Sequence, residues 1–205
     1  MIRQFVKRRN ETRGRHRSRL ENIISDTLVF GNRIPKDFFI TSGLGESDIA
    51  IHAGSYHLAL KDAGIEGYNH ITYSSILPKI ANEIKKPEKY VHGSVMETIT
   101  AVANAEIGQR ATAALAYGWL YDKATHEKFG GVVCEYNGHD AENVAEKSLK
   151  RSLNELYISG YAEDYLLNDI KFISRSFLPR KRFGTALVAI CFTSYIYPYF
   201  SFPER

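Results

Sequence analysis

Apolar residues recur at helical spacing between Asp140 and Leu156, where Val144, Ala145, Leu149, Leu153 and Leu156 alternate with charged positions. That spacing predicts an amphipathic helix with one buried stripe. A shorter helical pattern covers His52 to Asp62, with Tyr56, Ala59, Leu60 and Ala63 on one face and Gly64 placed as its C-terminal cap. Elsewhere the period is two. Order is expected to begin at Ile34-Pro35, followed by a short buried strand over Phe38–Thr41 and a Gly/Ser turn from Ser42 to Asp48. Tyr68 to Tyr73 alternates as a strand and runs straight into Ser74-Ser75-Ile76-Leu77-Pro78. Further strands are expected over Val95–Ala105, Ala111–Tyr121 and Gly131–Tyr136, with a polar hairpin opening at Tyr121–Thr125. Ile170–Phe177 and Thr185–Tyr195 close the chain around a basic turn, Arg180-Lys181-Arg182. Strands outnumber helices, and the helices fall in two places. The expected fold class is α+β, an antiparallel β-sandwich core covered by helices in αββα layers.

Composition changes this picture in one respect. The 205 residues are 44% hydrophobic and 24% charged, an ordinary globular balance for one domain plus a short extension. No apolar run approaches the roughly eighteen residues a membrane span needs, so no membrane partner is expected. The net charge of +4 is unevenly placed: the first twenty residues hold eight Lys/Arg against Glu11 alone, leaving 19 bases against 22 acids for the rest. Residues 1–33 therefore read as a basic, flexible arm with an amphipathic hint in Leu20, Ile23, Ile24 and Leu28, and 34–205 as a single domain. Charge supplies no argument that the folded domain binds nucleic acid, and leaves only the arm as a candidate for RNA or an anionic surface. Cys134 and Cys191 sit among apolar residues and read as buried free thiols. No Cys/His spacing suits zinc, and His52, His70, His92, His126 and His139 do not form a ligand set, so no metal is expected. No secretory signal is expected either, and a reducing cytoplasm is the natural location.

The chemistry concentrates in Asn69-His70-Ile71-Thr72-Tyr73-Ser74-Ser75-Ile76-Leu77-Pro78. A serine at a strand end can attack the preceding carbonyl, an N→O acyl shift, when the backbone is held in place and donors surround the developing oxyanion. Elimination from the resulting ester leaves dehydroalanine, which loses ammonia to give a ketone at a new N-terminus. Pro78 stiffens the exit from this segment. A lone Ser-Ser pair means nothing, but four other stretches accompany it in order: Gly43-Leu44-Gly45-Glu46-Ser47-Asp48, Ala63-Gly64-Ile65, Cys134-Glu135-Tyr136-Asn137-Gly138 and Phe183-Gly184-Thr185-Ala186-Leu187. Together they resemble the pyruvoyl-dependent arginine decarboxylase family, from about residue 34 to 196, with the basic arm outside.

The resemblance implies self-cleavage between Ser74 and Ser75 into a small N-terminal chain and a larger C-terminal chain, with Ser75 becoming a covalent pyruvoyl group. That group takes the place of pyridoxal phosphate (PLP): it forms a Schiff base with the substrate's α-amine and accepts electrons as the carboxylate leaves. The reaction implied is L-arginine to agmatine and carbon dioxide. Glu135 is implied as the proton donor, in a setting where Val132, Val133 and Cys134 suggest an apolar wall that raises a carboxyl pKa; a Glu135→Gln chain is then expected to cleave yet decarboxylate poorly. Asn69 is implied near the scissile carbonyl or the substrate. One departure stands out: His57 occupies the position where arginine-specific members carry an Asp, and an imidazole suits a guanidinium poorly. Glu46 and Asp48, in the Gly-rich stretch, are then the candidates for the substrate's distal end. A different amino-acid substrate, or a homologue that binds without catalysis, remains open, while a serine hydrolase is disfavoured by the lack of a Gly-X-Ser-X-Gly elbow. The resemblance also implies homotrimers or hexamers with sites at subunit boundaries, and the aromatic stretch Tyr195–Phe200 is compatible with such packing.

Overall fold

The computed structural model describes residues 29–200, which divide into a large unit, Pro35–Ile196, and a small one holding 29–34 and 197–200. Most of the basic arm, including Leu20, Ile23, Ile24 and Leu28, lies outside the described residues. In chain order the strands are β1 (Val29–Phe30), β2 (Ile34–Pro35), β3 (Asp37–Ser47), β4 (Asn69–Thr72), β5 (Ile76–Pro78), β6 (Asn82–Glu83) and β7 (Val95–Glu106). They continue with β8 (Ala111–Asp122), β9 (Lys128–Gly138), β10 (Tyr165–Phe177), β11 (Phe183–Phe192), β12 (Tyr195–Ile196) and β13 (Tyr199–Phe200). A π-helical turn, Ile51–Tyr56, leads into helix α1 (His57–Ala63), and helix α2 spans Glu142–Gly160. In the small unit β1 pairs antiparallel with β13.

The large unit contains two sheets of order β4-β7-β11-β3-β6 and β10-β8-β9-β5. All long pairings are antiparallel, and only the short edge strands β4 and β6 run parallel to their neighbours. The chain is therefore α+β, rich in antiparallel sheet. One apolar cluster joins the sheets: Ile99, Ala101, Val188 and Ile190 from the first meet Leu115, Tyr117 and Val133 from the second. A second cluster sets Ala59, Leu60 and Ala63 of α1 against Met96, Leu187 and Ala189. A third sets Leu149 and Leu153 of α2 against Ala114, Ala116 and Val132, each leucine stabilising by about 1.5–3 kcal/mol. Successive residues of β8 and β11 enter different clusters, so these strands are buried on both faces and show almost no alternation in sequence.

Three expectations are corrected. Ser42–Ser47 is the second half of strand β3 and not a turn. Its glycines serve packing: a Cβ on Gly43 would lie 2.1 Å from the Ala59 carbonyl oxygen, and one on Gly45 2.0 Å from that of Ser55. The helical segment can thus lie directly on the strand backbone. The helix expected over His52–Asp62 is a π-helical turn followed by α1. Its cap is as expected, since Gly64 has φ 67° and its N–H donates to the Leu60 and Lys61 carbonyls. Val144, placed on the buried stripe by its spacing, is 45% exposed. The stripe runs through Ala145, Leu149 and Leu153, one helical position, about 100°, away.

Candidate active site

The segment Tyr68–Pro78 was expected to be one continuous stretch, and it is two. β4 hydrogen-bonds along β7 in the first sheet, and the Tyr73 N–H extends that pairing by donating to the Thr98 carbonyl at 2.8 Å. β5 pairs with β9 in the second sheet, Ile76 opposite Val132, and the Ser75 carbonyl accepts from the Val133 N–H at 2.9 Å. Ser74, exposed, is the residue at which the chain leaves one sheet for the other. The apolar residues on either side explain why the crossing is held. Leu77 is fully buried between the sheets, and Tyr73 packs against the same cluster.

At this crossing the Ser75 hydroxyl donates to Glu135 Oε1 at 2.5 Å. Glu135 lies on β9, two residues beyond Val133 and therefore on the same side of the sheet. One carboxylate oxygen beside a hydroxyl is the arrangement a general base requires. The Ser74 carbonyl, whose carbon that hydroxyl would attack, accepts the Ile76 N–H at 2.9 Å. That bond skips one residue, and Ser75 is not among the non-glycine residues of positive φ, so it closes an inverse γ-turn. A hydroxyl, a carboxylate and a donor on the carbonyl oxygen thus stand within three residues of chain and one strand pairing.

The expected apolar wall around Glu135 takes a different form. Val132 and Cys134 face α2, only Val133 shares the Glu135 side, and the carboxylate is exposed in the single chain. Cys134 is half-buried, whereas Cys191 is buried. Burial, assisted by the neighbouring Glu135 charge, pushes the Cys134 thiol up, so it does not compete as a nucleophile.

Asn69 lies at the start of β4, and its side-chain amide donates to the Gly93 carbonyl at 2.7 Å. His70 is half-buried, with Nε2 3.0 Å from the Ile65 carbonyl, and burial pushes its pKa down.

Glu46 and Asp48 lie elsewhere. Glu46 Oε2 accepts the N–H groups of Arg180 (2.7 Å) and Lys181 (3.1 Å), and Asp48 Oδ1 accepts that of Arg182 (3.1 Å). Both carboxylates thus cap the turn between β10 and β11. Along β11, Gly184 pairs with Glu46 and Cys191 with Thr98, a separation of seven residues or about 23 Å. His57, at the start of α1, is exposed on the helix face away from the sheet. Within one chain the structure brings Ser74, Ser75 and Glu135 together and leaves Glu46 and Asp48 at the far end of the first sheet. The groups that sequence reasoning missed are backbone ones, the N–H of Ile76 and of Val133, for which no side-chain signal exists. Among the described residues no cluster of His, Cys, Asp and Glu could hold a metal ion, and no helix is long and apolar enough to cross a membrane.

A family model described as pyruvoyl-dependent arginine decarboxylase matches residues 37–196. The chain is 31% identical over 191 residues to the pyruvoyl-dependent arginine decarboxylase AaxB of Chlamydia pneumoniae, covering 82% of this chain and 95% of that one. It is 30% identical over 191 residues to AaxB of Chlamydia muridarum, with the same coverage. Over 149 residues it is 30% identical to the pyruvoyl-dependent arginine decarboxylase of Thermoplasma volcanium, covering 66% and 80% of the two chains. The crossing fits the group these names require: a serine whose hydroxyl rests on a carboxylate, behind a carbonyl that already holds a donor, has the parts needed to become a ketone-bearing terminus. The match across most of the chain means that the protein belongs to the pyruvoyl-dependent arginine decarboxylase family, and is accordingly a carboxy-lyase acting on a small molecule through a pyruvoyl cofactor.

Proposed function

We propose that the chain cleaves itself between Ser74 and Ser75, that Ser75 becomes the pyruvoyl group, and that the processed enzyme converts L-arginine to agmatine and carbon dioxide. The observation that carries this reading is the 2.5 Å hydrogen bond from the Ser75 hydroxyl to Glu135. Glu135 takes the hydroxyl proton as Oγ bonds to the Ser74 carbonyl carbon; the C–N bond breaks and the Ser75 nitrogen takes the proton back, leaving an ester. Loss of the Ser75 Cα proton expels the Ser74 carboxylate and gives dehydroalanine. Tautomerisation and addition of water release ammonia and leave the ketone. Once formed, the pyruvoyl ketone supplies an electrophile for the substrate's α-amine, a Schiff-base chemistry, and a sink for the electron pair left by carbon dioxide.

In the processed enzyme Glu135 keeps its place on β9 and returns a proton to the substrate's Cα. The same carboxylate then serves both reactions, so Glu135→Gln impairs cleavage as well as turnover. Asn69 braces the strand that leads to Ser74 through its bond to Gly93. Arginine rests on the relatives' being arginine decarboxylases by name. A different amino acid is favoured by one pair of observations: His57 is exposed on α1, and Glu46 and Asp48 are engaged by backbone N–H groups.

Further parts of the reading are the layering of the large unit as a helix–sheet–sheet–helix sandwich and the assignment of 34–205 to one decarboxylase domain. We read the assembly as a homotrimer or hexamer that completes the site between copies, the location as cytoplasmic, and the enzyme as free of metal and PLP. Intact mass before and after prolonged incubation tests the cleavage. Two pieces, the second beginning with a blocked, ketone-bearing residue 75, are expected, and a persistent single chain points to a non-catalytic binding protein. Carbon dioxide release across the twenty amino acids tests the substrate, with arginine expected to dominate.

A further inference from the structure

We infer that the backbone N–H of Ile76 is the oxyanion donor of the self-cleavage step, a catalytic role for a residue whose side chain takes no part; the inference rests on the reading that Ser75 attacks Ser74. The Ile76 N–H already donates to the Ser74 carbonyl oxygen at 2.9 Å, the atom that gains charge when Ser75 Oγ bonds to the carbonyl carbon. As that bond forms, the carbonyl π pair moves onto the oxygen while the hydroxyl proton passes to Glu135. Collapse returns the pair, breaks the bond to the Ser75 nitrogen and lets that nitrogen take the proton. No other reactant is needed. A donor fixed before reaction costs no reorganisation when the charge appears.

The fold supplies the fixation. Tyr73 is anchored to Thr98 in one sheet, and the Ser75 carbonyl is anchored to Val133 in the other. The γ-turn between these anchors aims the Ile76 N–H at the scissile carbonyl and leaves the Ser75 hydroxyl on Glu135. The Ile76 side chain is 53% exposed, so packing of that side chain does not account for the turn. An inverse γ-turn at a strand end is common. Here its hydrogen bond falls on the carbonyl whose carbon the Ser75 hydroxyl would attack.

The test uses the full chain made by cell-free translation, with an amber codon at 76 that takes the α-hydroxy analogue of isoleucine. This replaces the N–H by an ester oxygen and keeps the side chain; circular dichroism checks the fold. Ile76→Val, which keeps the N–H, is the companion. Cleavage at the 74–75 bond, told apart by mass from any break at the introduced ester between 75 and 76, is followed with and without hydroxylamine, which intercepts the Ser75 side-chain ester. The α-hydroxy chain is expected to cleave about 100-fold more slowly or worse, with the hydroxylamine-induced reaction falling in parallel, while Ile76→Val cleaves at the parent rate. Equal rates for the α-hydroxy chain and the parent overturn the inference. So does a loss confined to the spontaneous reaction, which places the donor in the elimination, and so does an equal loss in Ile76→Val. A parent chain that stays whole in both conditions overturns the self-cleavage reading itself, and the inference with it.

Discussion

Carboxylates at opposite ends of the same sheet system differ in what they hold. At one end Glu135 receives the hydroxyl of Ser75, a group that can leave its proton behind and form a new bond. At the other end Glu46 and Asp48 receive three backbone N–H groups of the turn at Arg180–Arg182, groups that stay protonated and only need an acceptor. The same residue type at similar distances is therefore poised for chemistry in one place and caps a turn in the other. The partner, more than the carboxylate, separates the two roles. Buried or turn N–H groups are costly to leave unpaired, so a carboxylate that covers several of them has a structural explanation before any other.

Substitutions can break or sharpen this contrast. The largest effect is expected for Ser75→Ala, which removes the hydroxyl: the chain should persist as a single 23.3 kDa species by intact mass, and any cleavage at Ser74 would end the proposal. Glu135→Gln keeps an acceptor oxygen beside Ser75 but cannot take its proton, so cleavage monitored over time should slow by about 100-fold. A glutamine chain that processes normally would confine Glu135 to a later step, the outcome expected from the sequence alone. On the structural side, Gly43→Ala forces a Cβ against the Ala59 carbonyl and the Ala63 nitrogen. The destabilisation, read from urea unfolding, should be about 3 kcal/mol. Glu46→Ala leaves the Arg180 and Lys181 N–H groups to water in an exposed turn, a loss of about 1 kcal/mol, or roughly 2–4 °C in melting temperature. Its self-cleavage rate should match the parent. A Glu46 variant that stops cleaving would erase the distinction between the two ends.

Much of the fold was legible along the chain. The helix over Glu142–Gly160, the Gly64 cap and the long strands all carry local signals, in spacing or in residue type. Ser42–Ser47 misled because Gly and Ser signal turns locally, whereas here the glycines exist to admit α1 at van der Waals contact with β3. Val144 misled because helical spacing alone leaves the buried stripe uncertain by one position.

The site divides in the same way. Ser74, Ser75 and Glu135 could be named because five stretches of the chain, in order, resemble one family, and hydroxyl and carboxylate are side-chain properties that a sequence displays. That the chain crosses between sheets at Ser74, that Glu135 meets Ser75 across sixty residues, and that the Ile76 N–H rests on the Ser74 carbonyl were decided only by the tertiary structure. So was the assignment of Glu46 and Asp48 to a turn 134 residues away. Hydrogen-bond partners across such separations depend on strand order and register, and the backbone donors carry no residue-specific signature. The sequence alone determined which groups were available for chemistry; the packing of two sheets decided which of them meet.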